Sequence, residues 1–176
     1  GGELVIRPAE TSTFNSYKNI IIGNVAFYGA TSGKSFINGL AGERFAVRNS
    51  GAELVVEGVG DHACEYMTGG RVIVLGKTGK NFAAGMSGGV AFIFDKLSSF
   101  EKKCNKGMVG LERPDQTDLE YIKEMLTEHV LKTNSTIGEV ILGDWDSAVD
   151  GIIKVIPHEY KVVLEKKLAS QKSKVA

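Results

Sequence analysis

The sequence predicts a mostly β protein, a β-helix built from glycine-rich repeats and followed by a short helical tail. Two observations predict it. The chain holds 22 glycines against three prolines in 176 residues, and nearly all of the glycines precede residue 111. Within that part the pattern G-x-x-Φ-x-x-[G/Y]-x-x-G-x-x-Φ-x-Φ, where Φ is apolar, occurs three times. Self-similarity near twenty residues in a strand-forming sequence marks stacked β architectures, in which a repeat buries its apolar face only when a neighbour lies over it.

The elements follow in order. "GGELVI" at residues 1–6 matches the second half of the repeat, as in "GGRVIV" (69–74) and "GGVAFI" (88–93), so it reads as part of a unit within something larger. The first full copy comprises Gly33, Phe36, Gly39, Gly42, Phe45 and Val47. The second comprises Gly60, Ala63, Tyr66, Gly69, Val72 and Val74, and the third Gly79, Phe82, Gly85, Gly88, Ala91 and Ile93. Their starts at 33, 60 and 79 imply extra residues around "VRNSGAEL" in the first interval. Strands of successive coils stack about 4.8 Å apart, which predicts one interior row of Phe36, Ala63 and Phe82 and another of Val47, Val74 and Ile93. Glycines at the corners take left-handed φ without the roughly 1–2 kcal/mol that a Cβ costs there, and elsewhere they let backbones approach. Gly85→Val is accordingly expected to lower the melting temperature without changing any ligand affinity.

The chain divides near Pro114 into a β-helix over 1–113 and a helical tail over 114–176. Thr117-x-x-Glu120 reads as a capping box, with Leu119, Ile122, Met125, Leu126 and Val130 on one stripe. Thr136-x-x-Glu139 opens a second helix, and Pro157 starts a third with Tyr160, Val163, Leu164 and Leu168 on one face. The closing "EKKLASQKSKVA" is expected to fray.

Composition narrows the function classes. Hydrophobic residues make up 43%, enough for a core, and 21 basic residues balance 21 acidic ones. That balance gives no electrostatic case for nucleic acid or an anionic membrane. No run of about 18 apolar residues occurs. Two cysteines, Cys64 and Cys104, read as free thiols in a reducing compartment.

Three stretches mimic chemistry. Gly76-Lys77-Thr78 follows Gly70 with five intervening residues where a phosphate loop needs four, and strand-like residues fill the interval. "GVGDHA" at 58–63 carries a dinucleotide-like G-x-G-x-x-A, but a glycine pair and a strand follow where that fingerprint needs a helix. His62, Cys64 and Glu65 cluster without the partners that a closed zinc site or a thiol nucleophile requires, and strand alternation predicts that Cys64 faces away from Ala63 and Glu65. Glu43, Arg44, Arg48 and Asn49 concentrate in one stretch. Together with Glu65 and Tyr66 they are the expected contact residues for a neighbouring domain, with solvated coil exterior as the alternative.

"IIGNVAFYGATSGKSFINGLAGERFAVRNSGAE", "VVEGVGDHACEYMTGGRVIVLGKTGKNFAAGMSGGVAF" and "IIKVIPHEY" resemble the C-terminal glycine-repeat (GXGXG) domain of the glutamate synthase large subunit. The resemblance implies a single-stranded right-handed β-helix at the end of an iron–sulfur flavoprotein that makes glutamate from glutamine and 2-oxoglutarate, using reducing equivalents from NAD(P)H or ferredoxin. It implies cytoplasmic or plastid location and partners in an amidotransferase domain and an FMN-binding domain with an iron–sulfur cluster. Oligomerisation would come through the parent enzyme. Nothing in this chain matches the catalytic parts, so no catalytic, cofactor-binding or metal residue is carried over. The expected role is non-catalytic scaffolding. The alternatives are a free-standing binding module similar to a subunit of formylmethanofuran dehydrogenase, or a nucleotide-binding domain.

Overall fold

Strands buried on both faces carry near-continuous apolar runs, and "ELVVEG", "GRVIV" and "GVAFIF" are such runs. In the computed structural model of the chain, which describes residues 1–175, they form a parallel stack. β1 (Glu3–Ile6), β3 (Lys34–Ala41), β4 (Ser50–Gly58), β5 (Thr68–Val74) and β6 (Gly88–Phe94) lie side by side in that order, with β2 (Ile20–Ile22) paired to the end of β3. One register runs through all five: Val5, Phe36, Val55, Ile73 and Phe92 form a row, and Ile6, Ile37, Val56, Val74 and Ile93 the next. "GGELVI" thus occupies the register that its likeness to the later strands predicts.

The coils begin at Gly23, Gly42, Gly60 and Gly79, in steps of 19, 18 and 19 residues. Gly60 N–H donates to Gly42 O at 3.1 Å and Gly79 N–H to Gly60 O at 3.2 Å, and a Cβ on Gly42 would meet Gly23 C at 3.1 Å. This corrects the first sequence repeat. Gly33, Phe36 and Gly39 belong to the strand side of their coil, whereas Gly60 and Gly79 stack under Gly42. The glycine spacing happens to recur within one coil as well as between coils, so the pattern slipped by half a turn. Ala63 and Phe82 share a row with Phe45 rather than Phe36, and Val74 and Ile93 sit beside Val56 rather than Val47.

After each starting glycine the chain does not extend. Every second residue takes a left-handed φ: Val25, Phe27 and Gly29; Arg44, Ala46 and Arg48; His62, Cys64 and Tyr66; Asn81, Ala83 and Gly85. A side chain in that region costs roughly 1–2 kcal/mol per residue. The offset comes from interlocked backbone bonds. Arg44 N–H donates to Asp61 O and His62 N–H to Lys80 O one coil on, while Cys64 N–H donates back to Phe45 O and Ala83 N–H to Ala63 O, all at 2.8–2.9 Å. Strand alternation does not apply in these segments, and so Ala63 and Cys64 are both buried.

Two cores result. Inside the coil, Ile37, Val56, Val74 and Ile93 pack against Phe45, Cys64, Met67, Phe82 and Met86. On the outer strand face, Phe36, Val55, Ile73 and Phe92 pack against Ile122, Met125 and Leu126 of α1 (Gln116–Thr133). The capping box of α1 is Asp115 with Asp118, slightly earlier than Thr117 and Glu120. The cap of α2 (Thr136–Gly143) is Ser135, one residue before Thr136. In each case the residue immediately before the helix holds the extended φ that a capping side chain needs.

A short α3 (Trp145–Val149) follows, and then the tail returns to the sheet. β8 (Ile152–Pro157) pairs antiparallel with β6 and with β7 (Val109–Glu112), covering the last coil. Pro157 ends β8, and α4 runs His158–Val175. The expected packing of Leu168 and the side chains at 171–176 lie outside the described residues.

An ion network ties α1 to the first rungs. Glu128 accepts from Lys34 Nζ at 2.8 Å and Lys132 Nζ at 2.7 Å, and Lys132 also reaches Glu3 at 2.6 Å. The hydrogen bonds from Lys132 and Lys34 hold the Glu128 carboxyl below its ordinary value of 4.5. A depressed carboxylate stabilises the fold fully above its unfolded pKa, and the effect fades as pH falls through the folded one. Because the group is partly exposed, Glu128→Gln should cost about 1 kcal/mol or less near neutrality. In urea titrations the difference should begin to shrink as pH falls below the ordinary value of 4.5 and vanish only once it has passed the lowered folded value; a difference that stays undiminished to the acid end of the titration would refute the assignment.

Candidate functional site

The left-handed segments build a ridge along one edge of the coil. Stacked positions place Val25, Arg44, His62 and Asn81 in one column and Gly29, Arg48, Tyr66 and Gly85 in another. Glu43, Arg44 and Arg48 are exposed, as are Tyr66 at 56% and Tyr28 at 52%. Asn49 does not join them. It is fully buried, with Oδ1 accepting from Gly51 N–H and Ala52 N–H and Nδ2 donating to Ala52 O. An asparagine amide satisfies a tight backbone turn inside the coil better than it serves a surface.

Side chains cross-link the ridge. Ionised Glu65 can only accept, so His62 Nδ1–H donates to its Oε1 at 2.8 Å. Asn81 Nδ2 donates to the same oxygen at 2.9 Å, and Asn105 Nδ2 donates to Asn81 Oδ1 at 2.8 Å. Backbone bonds are locked in the same way: Asn24 Oδ1 accepts from Glu43 N–H and Asp61 Oδ1 from Lys80 N–H. The cross-links fix His62, Glu65 and Asn81, and Arg44, Arg48 and Tyr66 stand exposed beside them; arginine and tyrosine are residue types that carry energy in protein contacts.

The three mimicked motifs resolve on the same coil. Gly60 and Gly79 are pressed on the preceding rung, where a Cβ would meet Gly42 C at 3.0 Å and Gly60 C at 2.3 Å, so neither lines an open phosphate cradle. His62 and Glu65 are partners outside, while Cys64 is buried inside. Burial pushes the Cys64 thiol far up, and pushes Cys104 up to about 11 against a weak opposing pull from Lys106. Iodoacetamide at pH 8 should therefore label native Cys104 slowly, at a rate rising about tenfold per pH unit, and should reach Cys64 only after unfolding. A fast native thiol detected by mass spectrometry would contradict this. Among the described residues no group of three or more His, Cys, Asp or Glu is placed to hold a metal ion. No described helix is long and apolar enough to cross a membrane.

Sequence reasoning missed a buried polar cluster between β4 and the α1–α2 junction. Ser135 Oγ donates to Glu57 Oε1 at 2.5 Å and accepts from Gly138 N–H, and Ser16 Oγ donates to Oε2 at 3.5 Å. His129 Nε2 lies 3.8 Å from Glu57 Oε1, and Asn38 Nδ2 donates to Thr133 O at 2.8 Å. Serine, histidine and carboxylate are all present, yet the hydroxyl bonds the carboxylate and not the imidazole, so the three do not form a serine–imidazole–carboxylate relay. Glu57, His129 and Ser135 are at most 1% exposed, which leaves no path for a substrate. The cluster latches the helices to the coil. Its sequence signal was the carboxylate of Glu57 ending the apolar run "LVV", whose partners stand 72 and 78 positions away.

The chain matches the family model described as "GXGXG motif" over residues 1–158. It is 53% identical to the glutamate synthase [NADPH] large chain of Bacillus subtilis over 93% of its own length, and 51% identical to the glutamate synthase [NADH] of Schizosaccharomyces pombe over 97%. It is 49% identical to the chloroplastic ferredoxin-dependent glutamate synthase of Spinacia oleracea over 89%. These matches cover 11%, 8% and 10% of the relatives, so the chain spans about a tenth of their length.

Proposed function

Because the chain belongs to the GXGXG motif family, we propose that it is the structural, non-catalytic β-helix domain of a glutamate synthase large chain. The observation that carries this reading is the division of labour on the coil. Gly42, Gly60, Gly79 and Cys64 are taken up by packing inside the stack, while His62, Glu65 and Asn81 are tied to one another along the ridge. In the parent, glutamate would be made from glutamine and 2-oxoglutarate elsewhere in the chain. The names of the relatives span NADPH, NADH and ferredoxin as donors and include a chloroplast enzyme. Cytoplasm or plastid, both reducing, suits two free cysteines.

The residues here do not fit the cofactors of such an enzyme. An iron–sulfur cluster takes four cysteine-type ligands, whereas Cys64 is sealed in the coil and Cys104 is its single companion. Gly58 and Gly60 lie against Leu40, Lys77 and Gly42 and offer FMN no phosphate cradle. FMN and the cluster belong to the neighbouring domains. Those domains, an amidotransferase and a flavin domain, would dock on Glu43, Arg44, Arg48, Glu65 and Tyr66.

Arg44→Glu with Tyr66→Ala should leave the melting temperature of the 176-residue chain within about 1 °C, since exposed positions contribute little to folding. In the full-length large chain the same pair should loosen the domain by about 2 kcal/mol, read as earlier proteolytic release. Equal behaviour in the two contexts would overturn the docking role. Calorimetric binding of FMN or a nucleotide to the 176-residue chain would overturn the scaffold reading itself.

A further inference from the structure

An open groove of about 600 Å3 runs between the ends of β5 and β6 and the α2–α3 pair. Leu75, Ile93 and Phe94 line it from the coil, and Ile137, Ile141 and Ala148 from the helices. Two large apolar side chains from different elements stand on its rim in water, Val140 at 70% and Leu97 at 84% exposure. Three lysines, Lys77, Lys96 and Lys103, surround it, and no carboxylate among the described residues pairs with any of them. The acids on the lining are Asp95 and Asp144. Asp95 accepts from Ser99 N–H, Ser99 Oγ–H and Phe100 N–H, uncharged donors that hold its carboxylate in place, so three lysines stand against two acids on the lining.

We propose that this groove docks an acidic polypeptide segment with one apolar face. Its hydrophobic side chains sit on Leu75, Ile137 and Ile141, and its carboxylates meet Lys77, Lys96 and Lys103. An apolar floor with a cationic rim selects that charge pattern, because seating the apolar face removes water around the ion pairs and strengthens them. A polypeptide fits better than a small amphiphile. A ligand confined to the floor leaves Val140 and Leu97 in water, whereas a helix or strand crossing the groove covers both rims. The proposal does not depend on the parent enzyme, because it uses none of the ridge residues.

The test pans a random peptide library, with inserts about three helical turns long, against the immobilised 176-residue chain. A synthetic copy of the most enriched peptide is then titrated by fluorescence anisotropy. The expected result is enrichment of Asp and Glu interleaved with Leu, Ile or Phe. Binding should weaken about tenfold or more in Lys77→Glu/Lys103→Glu and separately in Val140→Ser, two surface variants with unchanged melting temperature. Enriched peptides without acidic bias, indifference to both variants, or no enriched set would each overturn the proposal. Laurate binding at these residues without peptide binding would assign the groove to a lipid-like amphiphile and overturn it as well.

Discussion

Gly88→Ala is expected to destabilise the protein by about 3 kcal/mol or more, although Gly88 has no left-handed φ. Its added Cβ would stand 2.2 Å from Thr68 O and 2.8 Å from Thr68 C, on the backbone of the rung before it. The same approach recurs at Gly51 against Thr31 O and Gly69 against Ser50 O, each at 2.2 Å. A methyl group there forces adjacent rungs apart, and no side-chain rotation relieves it. Gly85→Ala provides the contrast. Gly85 has φ +66, yet the nearest atoms to its Cβ belong to the exposed Tyr66 ring, which can swing away, and Arg48 and Tyr66 already hold the same conformation in that column. It should cost about 1 kcal/mol. At about 2–4 °C per kcal/mol for a domain of this size, calorimetric melting separates the two variants. Equal losses would mean that the rungs do not press on one another at Gly88.

Phe92→Ala should cost about 3–5 kcal/mol. Phe92 is 1% exposed in the core between the outer strand face and α1, with its ring 6.3 Å from that of Tyr121. Truncation opens a cavity between two elements, so protection from hydrogen exchange should fall in α1 before it falls in β4 or β5. Leu131→Ala, at a residue 76% exposed on the same helix, should stay within about 0.5 kcal/mol of the parent. Uniform loss of protection across the coil would contradict the separation into two cores.

The β-helix was legible because its punctuation is local. Glycine pairs before "ELVI", "RVIV" and "VAFI" fix the strand register, and that register runs from β1 to β6. The opposite side of each coil was not legible. Arg44, Ala46, His62 and Cys64 adopt left-handed φ that no propensity assigns to them, because the cost is met by bonds to neighbouring coils. Strand logic therefore put Ala63 and Cys64 on opposite faces. Among the surface residues, Glu43, Arg44, Arg48, Glu65 and Tyr66 were visible as a polar cluster, whereas Asn49 looked the same in sequence and turned inward to hold a bend. The latch of Glu57, His129 and Ser135 depends on where α1 lands on the outer face, and only tertiary packing sets that.

The most direct test of the proposed scaffold role is steady-state turnover of glutamine and 2-oxoglutarate by the proposed parent, a full-length glutamate synthase large chain, carrying Gly88→Ala, alongside its melting temperature. The expected result is a melting temperature lowered by several degrees, with kcat and both KM values per folded molecule unchanged. A folded variant with an unchanged melting temperature and a collapsed kcat would show that the coil takes part in the chemistry.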